Sequence, residues 1–279
     1  MQMEIKLKKI LIFQSLLVAS LALTACGGGG GGGGVGTAAS SITLKGVAAT
    51  GAAISGGTVD VKCKNGTGTA TTNADGTYTV TVADGAQPCI LRAIDPITKV
   101  ELFSIVESGG TTANITPVTS LVVANTLGDS PASSFSSFNS AVHDKITASN
   151  ISTAVTRVQA ATAAIGTDAD MTGVDIMKGQ LIAATDSAGG DATDKKIDAL
   201  MAALTAADKK ITDLTDQLKT ATTSNAAASG LSTVVGDSKY SLANCPYARN
   251  GDVWAINFAG AAPISYNADF NTIGIPPNQ

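Results

Sequence analysis

Between residues 41 and 115, apolar and polar residues alternate in short runs. In the first clear run the apolar residues are Val59, Val61 and Cys63. The runs cover residues 58–64, 77–82, 89–94 and 100–106. Asn-Gly and Asp-Gly pairs stand between some of them, and such pairs favour turns. Short alternating runs separated by turn signals predict antiparallel strands packed as a β-sandwich.

From Thr116 onwards, apolar residues recur every three or four positions instead. Thr116 followed by Pro117 is typical of a helix start, with Thr as the N-cap and Pro in the first turn. We expect helices that begin at Pro117 and Pro131 and helices within residues 151–165, 175–184 and 194–220. The longest stripe is Ile197, Leu200, Met201, Leu204, Ile211, Leu214 and Leu218. This pattern predicts an all-α array over residues 116–235.

The change of period near Ile115 is abrupt, which indicates that residues 41–115 and 116–235 are separately cored units. Residues 236–279 form a third region in which aromatic residues are concentrated. Alternation over residues 252–258 predicts a strand there. Four aromatic residues are a candidate binding surface, namely Tyr247, Trp254, Phe258 and Tyr266. An exposed apolar cluster would bind a partner, and the alternative is that this cluster packs on the helices.

The N-terminus has the three parts of a secretory signal. Lys6, Lys8 and Lys9 precede a mostly apolar run over residues 10–23, and small residues follow it. The run is shorter than the roughly 20 apolar residues that a membrane-spanning helix needs. The alternative, an uncleaved anchor helix, is disfavoured because glycines rather than stop-transfer charges follow the run. Residues 1–25 are therefore predicted to be a signal peptide.

The run Leu23-Thr24-Ala25-Cys26 resembles the lipobox of bacterial lipoproteins. The resemblance implies cleavage before Cys26, a lipid on its thiol and an acylated amino group. Several acyl chains give stable anchoring where one does not. Gly27 rather than Asp after the cysteine implies sorting to the outer membrane in the Gram-negative pattern. Residues 26–40 are then a lipidated cysteine with a tether, whose eight consecutive glycines form a flexible coil.

Charge excludes some partners. The chain has a net charge of −4, and removal of residues 1–25, with three Lys and one Glu, leaves −6. An acidic chain lacks the basic surface that nucleic acid requires. It also suits a body held away from an anionic membrane surface rather than adsorbed to it. A single His excludes a three-histidine metal site.

Export places the cysteines in an oxidising compartment, where disulfides persist. Cys63 and Cys89 lie in two predicted strands, so we expect them to form a disulfide. A metal site would need more ligands and closer spacing. With Cys26 lipidated, Cys245 is left over, and it is free, buried or paired with another chain.

Residues 41–115 resemble the carboxypeptidase regulatory-like module, a prealbumin-like or Ig-like domain of surface proteins. The segments that carry the resemblance are Leu44-Lys45-Gly46-Val47, Ala53-Ile54-Ser55-Gly56-Gly57-Thr58-Val59 and Thr72-Asn73-Ala74-Asp75-Gly76-Thr77-Tyr78. The last matches the T-x-x-D-G-x-Y signature, in which Asp and Gly make a turn and Tyr packs inward. The resemblance implies a non-catalytic spacer, stabiliser or binding unit.

Two later stretches are similar to a group of proteobacterial lipoproteins. One runs from Asn114-Ile115-Thr116-Pro117 to Ile197-Asp198-Ala199-Leu200, and implies a helical array after the β module. The other, Cys245-Pro246-Tyr247-Ala248-Arg249-Asn250-Gly251, has the form CPxxRxG. In that group more β sequence usually follows this segment, whereas this sequence ends soon after it.

Candidate chemistry is sparse. GxSxG, SxxK and HExxH do not occur, and His143 is the sole imidazole, expected to be solvated or capping. Asp168, Asp170, Thr172 and Asp175 resemble the start of a Ca²⁺ loop. Position 12 of that loop would be Gly179, where a bidentate Glu is required. Calcium is therefore a weak candidate, and no cofactor is expected.

Taken together, these features predict an α+β protein with an N-terminal Ig/prealbumin-like antiparallel β-sandwich, an all-α region and a short aromatic tail. We expect a non-enzymatic outer-membrane lipoprotein, anchored through Cys26, with a structural or binding role at the cell envelope. Its partner would be an envelope or extracellular protein or a polysaccharide. The alternatives are a hydrolase that acts on envelope polymers and a carrier of a small ligand or Ca²⁺.

Overall fold

The computed structural model describes residues 41–235 in full and the backbone of four short strands between residues 247 and 274. The expectations for residues 1–40, which include the signal peptide, Cys26 and the tether, lie outside the described residues. So do those for Cys245 and Phe258. Within the described part, the helices are all too short or too polar to cross a membrane.

The N-terminal part consists of antiparallel strands, as predicted. They are β1 (Ile42–Val47), β2 (Thr58–Asn65), β3 (Thr67–Thr71), β4 (Thr77–Val82), β5 (Ala86–Ile94) and β6 (Glu101–Val106). β1 pairs with β4, and a second sheet has the order β3-β2-β5-β6. β3 is missing from the sequence prediction because it contains only Thr, Gly and Ala.

Buried side chains of both sheets form one hydrophobic cluster, here called the inner cluster. It includes Leu44, Val59, Val61, Tyr78, Val80, Leu91 and Leu102. The Tyr78 hydroxyl donates to the carbonyl of Ala113 over 2.5 Å, and burial raises the pKa of Tyr78 above its ordinary value. The period-two pattern thus has its expected cause, because alternate residues of each strand face this cluster.

Helices follow the strands, which confirms the α+β class. They are α1 (Pro117–Leu127), α2 (Pro131–Ser136), α3 (Ser140–His143), α4 (Ala148–Ile165), α5 (Ala192–Ala206), α6 (Ile211–Leu218) and α7 (Ser224–Val235). Thr116 is the N-cap of α1, and its hydroxyl accepts from the Thr119 N–H over 3.1 Å.

The helix predicted within residues 175–184 does not form. The backbone there makes turns, since the Asp175 carboxylate accepts from the Lys178 N–H over 3.2 Å. Two carbonyls of this segment bond to Asn114 instead of to helical neighbours. The Asn114 N–H donates to Met177 over 2.8 Å, and its side-chain amide donates to Gly179 over 2.8 Å.

The long helix predicted over residues 194–220 is broken into α5 and α6. Asp208 has a φ of 53°, in the left-handed region, and the Lys210 N–H donates to the Asp213 carboxylate over 2.8 Å to start the second helix. Leu204 and Ile211 are spaced as in a continuous helix, so periodicity hides the break. The helix predicted to begin at Pro131 is likewise split, into α2 and α3.

The helices pack on the four-stranded sheet. A second hydrophobic cluster, here called the outer cluster, joins helical residues such as Leu121, Val158 and Leu200 to Ile90 and Phe103 of the sheet. Ala49 and Ile105 also belong to it. The expectation of two separately cored units therefore needs correction, because one face of the sheet forms part of the helical core. The boundaries 41–115 and 116–235 themselves stay predictions.

In the C-terminal region, the described backbone forms β7 (Tyr247–Asn250), β8 (Val253–Ile256), β9 (Ile264–Tyr266) and β10 (Thr272–Gly274). These pair antiparallel in the order β10-β9-β8-β7. A strand was predicted over residues 252–258, and β8 lies within that range. The register places Trp254 opposite Tyr266.

Candidate functional site

The outer cluster buries only part of the outer face of the four-stranded sheet. Strand register puts Lys62 beside Ile90, and Ile90 beside Ile105, in one cross-strand row. Ile90 and Ile105 are buried in the outer cluster. Lys62 and the neighbouring positions of β2 and β3 do not belong to the outer cluster. Together with Phe135 and Ser136 of α2 they line a cleft of about 630 Å³. We call this the sheet cleft.

A second cross-strand row supplies the polar groups of the sheet cleft. Thr69 is paired with Asp60, and Asp60 with Arg92, so three neighbouring strands bring these side chains together. Arg92 Nη2 lies 2.8 Å from Asp60 Oδ2, and Arg92 Nη1 lies 3.1 Å from Glu101 Oε1. The Thr69 hydroxyl donates to Asp60 Oδ1 over 3.2 Å. One guanidinium is therefore held between two carboxylates.

Phe135 of α2 closes one side of the sheet cleft. The Lys62 Nζ and the Arg92 Cζ each lie 4.7 Å from the centroid of its ring, a cation–π geometry. Lys62 Nζ also donates to the Phe135 carbonyl over 2.9 Å. The Phe103 ring lies 6.1 Å from the Phe135 ring, centroid to centroid. These contacts fasten α2 to the sheet and leave the carboxylate of Asp60 and the hydroxyl of Thr69 at the open side.

The chemistry of the sheet cleft suits recognition by hydrogen bonds. Two cations, Lys62 and Arg92, and one carboxylate, Asp60, line the cleft. Glu101 lies outside the lining but pairs with Arg92, so the cleft has no strong net charge. Asp60 and Arg92 side chains are 30% and 27% exposed, which leaves them partly accessible to a ligand. The lining contains hydroxyl, carboxylate and guanidinium groups but no His or Cys.

A second cleft lies where a loop of the helical region meets the β region, and we call it the joint cleft. It has a volume of about 550 Å³. Its lining consists of Ala52, Ala53, Ser55, Ala74, Asp75 and residues 184–187. Its floor is a backbone contact, since the Ala53 N–H donates to the Ala184 carbonyl over 2.8 Å. Asp75 and Asp186 are its acidic residues.

The predicted calcium residues do not assemble into a metal site. Within residues 41–235 no group of three or more His, Cys, Asp or Glu side chains lies close enough to hold a metal ion. The Asp170 carboxylate accepts from the Thr172 N–H over 2.8 Å, and Asp175 caps the turn at Lys178. Asp168 is exposed. The carboxylates of Asp170 and Asp175 therefore stabilise turns of this segment.

His143 ends the short helix α3 and contacts an aromatic ring. Its ring lies 4.4 Å from that of Phe138, centroid to centroid. The Nε2 atom is buried, with no hydrogen-bond partner among the described residues. Within the described part of the chain, Nε2 therefore makes no hydrogen bond to a nucleophile such as a general base would make.

The predicted disulfide is present. Cys63 and Cys89 lie directly opposite each other in β2 and β5 and are bonded to each other. Of the aromatic candidates, Tyr247, Trp254 and Tyr266 lie in β7, β8 and β9. Their role as a binding surface stays a prediction.

Sequence reasoning missed the residues of both clefts. Arg92 carried a usable signal, because it is the one charged residue in the apolar run of β5. Phe135 carried none, since its contact with the sheet depends on tertiary packing. Comparison with known proteins adds nothing to this picture, because no protein-family model, curated protein or solved structure matches the chain.

Proposed function

We propose that the protein is an outer-membrane lipoprotein, anchored through Cys26, with a non-enzymatic structural or binding role at the cell envelope. The observation that carries the proposal is the N-terminal sequence. It combines three lysines, an apolar run of signal-peptide length and the lipobox-like Leu23-Thr24-Ala25-Cys26. The eight glycines after Cys26 would let the body stand away from the lipid surface.

The disulfide supports export independently of the N-terminal sequence. Disulfides are rare in reducing compartments and common in exported proteins. The bond between Cys63 and Cys89 joins two strands of the four-stranded sheet. A protein that forms this bond in the cell would fold after it leaves the cytoplasm.

We further infer that residues 41–115 form an Ig-like or prealbumin-like module. Two features support this assignment. The Asp75 carboxylate accepts from the Thr77 N–H over 3.0 Å, so it makes the turn that the T-x-x-D-G-x-Y signature implies. Tyr78 is buried in the inner cluster, the inward position that the signature implies. Modules of this kind generally act as spacers or binding units.

For the binding role, we propose that the sheet cleft recognises a hydroxyl-rich polymer, an envelope polysaccharide. Carboxylate, guanidinium and hydroxyl groups on one row can each bond to a sugar hydroxyl. The charge balance of the cleft favours a neutral or weakly charged ligand over a strongly anionic one. Arg92 is held in place by Asp60 and Glu101, so its orientation is fixed before a ligand arrives.

The anchor is tested by Cys26→Ser in cells fed a labelled fatty acid. We expect the unmodified chain to carry the label and to fractionate with the outer membrane. The variant should lose the label and accumulate as uncut precursor. Label on the variant, or an unlabelled parent chain, would refute the lipoprotein assignment.

Recognition of polysaccharide is tested separately, by titrating purified envelope polysaccharides onto the protein in detergent. Thr69→Val removes a hydroxyl at the open side of the sheet cleft, and we expect weaker binding by about fivefold to tenfold, the loss of one hydrogen bond. Thr43→Val is the matched control, an exposed strand threonine on the other sheet. Equal binding by both variants would show that the ligand binds elsewhere.

A further inference from the structure

Asp194 lies in the first turn of α5 with its side chain fully buried. One carboxylate oxygen, Oδ2, accepts from the Ala184 N–H over 3.0 Å. The other, Oδ1, is buried and has no hydrogen-bond partner among the described residues. A buried carboxylate oxygen without a donor is costly when it is charged and inexpensive when it is protonated. The burial of Oδ1 without a donor therefore makes the protonation of Asp194 depend on whether the side chain stays buried.

The segment bonded to Asp194 connects the helices to the β region. Residues 182–190 are tied to the start of α5, since Asp191 accepts from the Ile182 N–H over 2.9 Å. On its other side the Ala184 carbonyl accepts from Ala53 of the β region over 2.8 Å. Ala184 is thus bonded on both sides: its N–H donates to Asp194, and its carbonyl accepts from Ala53. This residue also lines the joint cleft.

The charges around Asp194 oppose its ionisation. Burial raises the pKa of Asp194, the hydrogen bond from the Ala184 N–H lowers it, and the negative charges of Asp198 and Asp191 also raise it. Together these effects place the pKa at about 6. The loop over residues 48–53 has no titratable side chain, and the segment 182–190 has only the exposed Asp186. Among these surroundings, no cation is placed to offset a charge on Asp194.

We propose that Asp194 is a proton-controlled latch between the helical region and the β region, which holds the segment 182–190 in place when it is protonated and loosens it when it is ionised. The segment forms one wall of the joint cleft, so the latch sets how firmly that cleft is held. The latch makes the described body sensitive to acidification, independently of the anchor or of any polysaccharide.

The sign follows from proton linkage. In the latched state the pKa of Asp194 is about 6, above the ordinary value near 4 that a solvated Asp has when the segment is released. Protons therefore favour the latched state. The stabilisation of the latched state by the proton on Asp194 is complete below about pH 4. It falls as the pH rises towards 6 and is lost above that. These two values give about a tenfold change in the latching equilibrium between pH 5 and pH 7.

The first test needs no variant. Carbon-detected NMR of the mature protein in detergent follows the Asp194 carboxyl through a pH titration, and we expect a midpoint near 6. In parallel, hydrogen exchange of the Ala184 amide, corrected for its intrinsic rate, should show about tenfold less protection at pH 7 than at pH 5. A midpoint below about 4.5, or constant protection, would overturn the proposal.

Matched variants separate the latch from general effects of pH. Asp194→Asn cannot ionise and keeps an oxygen for the Ala184 N–H, so protection of the Ala184 amide should no longer vary with pH. Asp186→Asn should behave like the parent.

A second pair of variants tests the contact with the carboxylate. Gly190→Ala would place a Cβ against the Asp194 carboxylate, whereas the Cβ of Gly189→Ala would meet no atom. We expect the first alanine to lower protection at both pH values and the second to change nothing. An unchanged pH dependence in Asp194→Asn would contradict the latch.

Discussion

The two faces of the four-stranded sheet are buried by different means. On the inner face, side chains of the strands pack against a second sheet, and the disulfide joins two of the strands. On the outer face, buried residues of β5 and β6 pack against the helices. Residues of β2 and β3, with Arg92 of β5 and Phe135 of α2, line the sheet cleft. Neighbouring residues of β5 belong to different clusters, with Ile90 in the outer one and Leu91 in the inner one. The four-stranded sheet thus contributes side chains to both hydrophobic clusters.

The two clusters also differ in the polar contacts around them. The outer side is tied together by buried side-chain amides. Asn125 of α1 donates to the carbonyls of Leu218 and Ala221 over 2.6 and 2.8 Å, and the side-chain amide of Asn114 donates to the Gly179 carbonyl. On the inner side, regular strand pairing satisfies most of the backbone. The helical region therefore depends on particular polar side chains, and the β region on its strand pattern.

The sharpest comparison is between Ile90→Ala and Leu91→Ala. Both side chains are fully buried, one in each cluster, and each truncation should lower the free energy of unfolding by about 2–5 kcal/mol. If the shared sheet couples the unfolding of the two clusters, each variant lowers the midpoint of one common urea transition. Circular dichroism at a helical wavelength measures it. A helical signal that Leu91→Ala leaves at the parental midpoint would show that the helices are stable without the inner cluster.

Removal of the disulfide by Cys63→Ala with Cys89→Ala should cost about 3 kcal/mol, because the bond closes a loop in the unfolded chain. Since Cys89 adjoins Ile90, and Ile90 packs against the helices, we expect the loss to appear in the helical signal as well. Two separately cored units, the expectation from the sequence, would instead leave the helices nearly unaffected. A helical transition at the parental midpoint would restore that expectation.

Replacement of Asn125 tests the polar contacts of the outer side. Asn125→Ala leaves the carbonyls of Leu218 and Ala221 without a donor, and should cost about 1–3 kcal/mol. Asn150→Ala is the matched control, an exposed asparagine in α4 with one bond to the Lys145 carbonyl. The control should cost less than about 1 kcal/mol. Urea melts of both compare them, and equal losses would mean that the buried amide has no special role.

Two threonine N-caps give the smallest expected difference. Thr116 caps α1 at a buried position, and Thr147 caps α4 at an exposed one. Loss of an N-cap hydroxyl typically costs about 1 kcal/mol. Thr116→Ala should lower the stability of the protein more than Thr147→Ala does, because water can replace the lost hydrogen bond only at the exposed cap. Thermal melts rank the two, and the reverse order would contradict this explanation.

The parts of the fold that follow from local pattern could be predicted from the sequence. Alternation at Val59, Val61 and Cys63 predicts β2, and Thr116-Pro117 predicts the start of α1. The breaks at Asp208 and within residues 175–184 could not be foreseen. They depend on a left-handed backbone residue and on bonds from the distant Asn114, and neither changes the spacing of apolar residues.

The sites were harder to predict than the fold. The disulfide followed from two cysteines in predicted strands, but the sheet cleft required the register that aligns Thr69, Asp60 and Arg92. Asp194 sits in a helix start where an acidic residue is ordinary. Its burial arises from the segment 182–190, whose path no local pattern specifies.

We infer that the two regions share the four-stranded sheet and unfold together. Hydrogen exchange across a urea series, with mass spectrometry of peptides from β5 and α4, measures both regions in one sample. We predict that the slowest amides of residues 86–94 and of residues 148–165 exchange with the same free energy and the same urea dependence. Lasting protection of α4 after β5 has fully exchanged would contradict the claim and show that the helices have a core of their own.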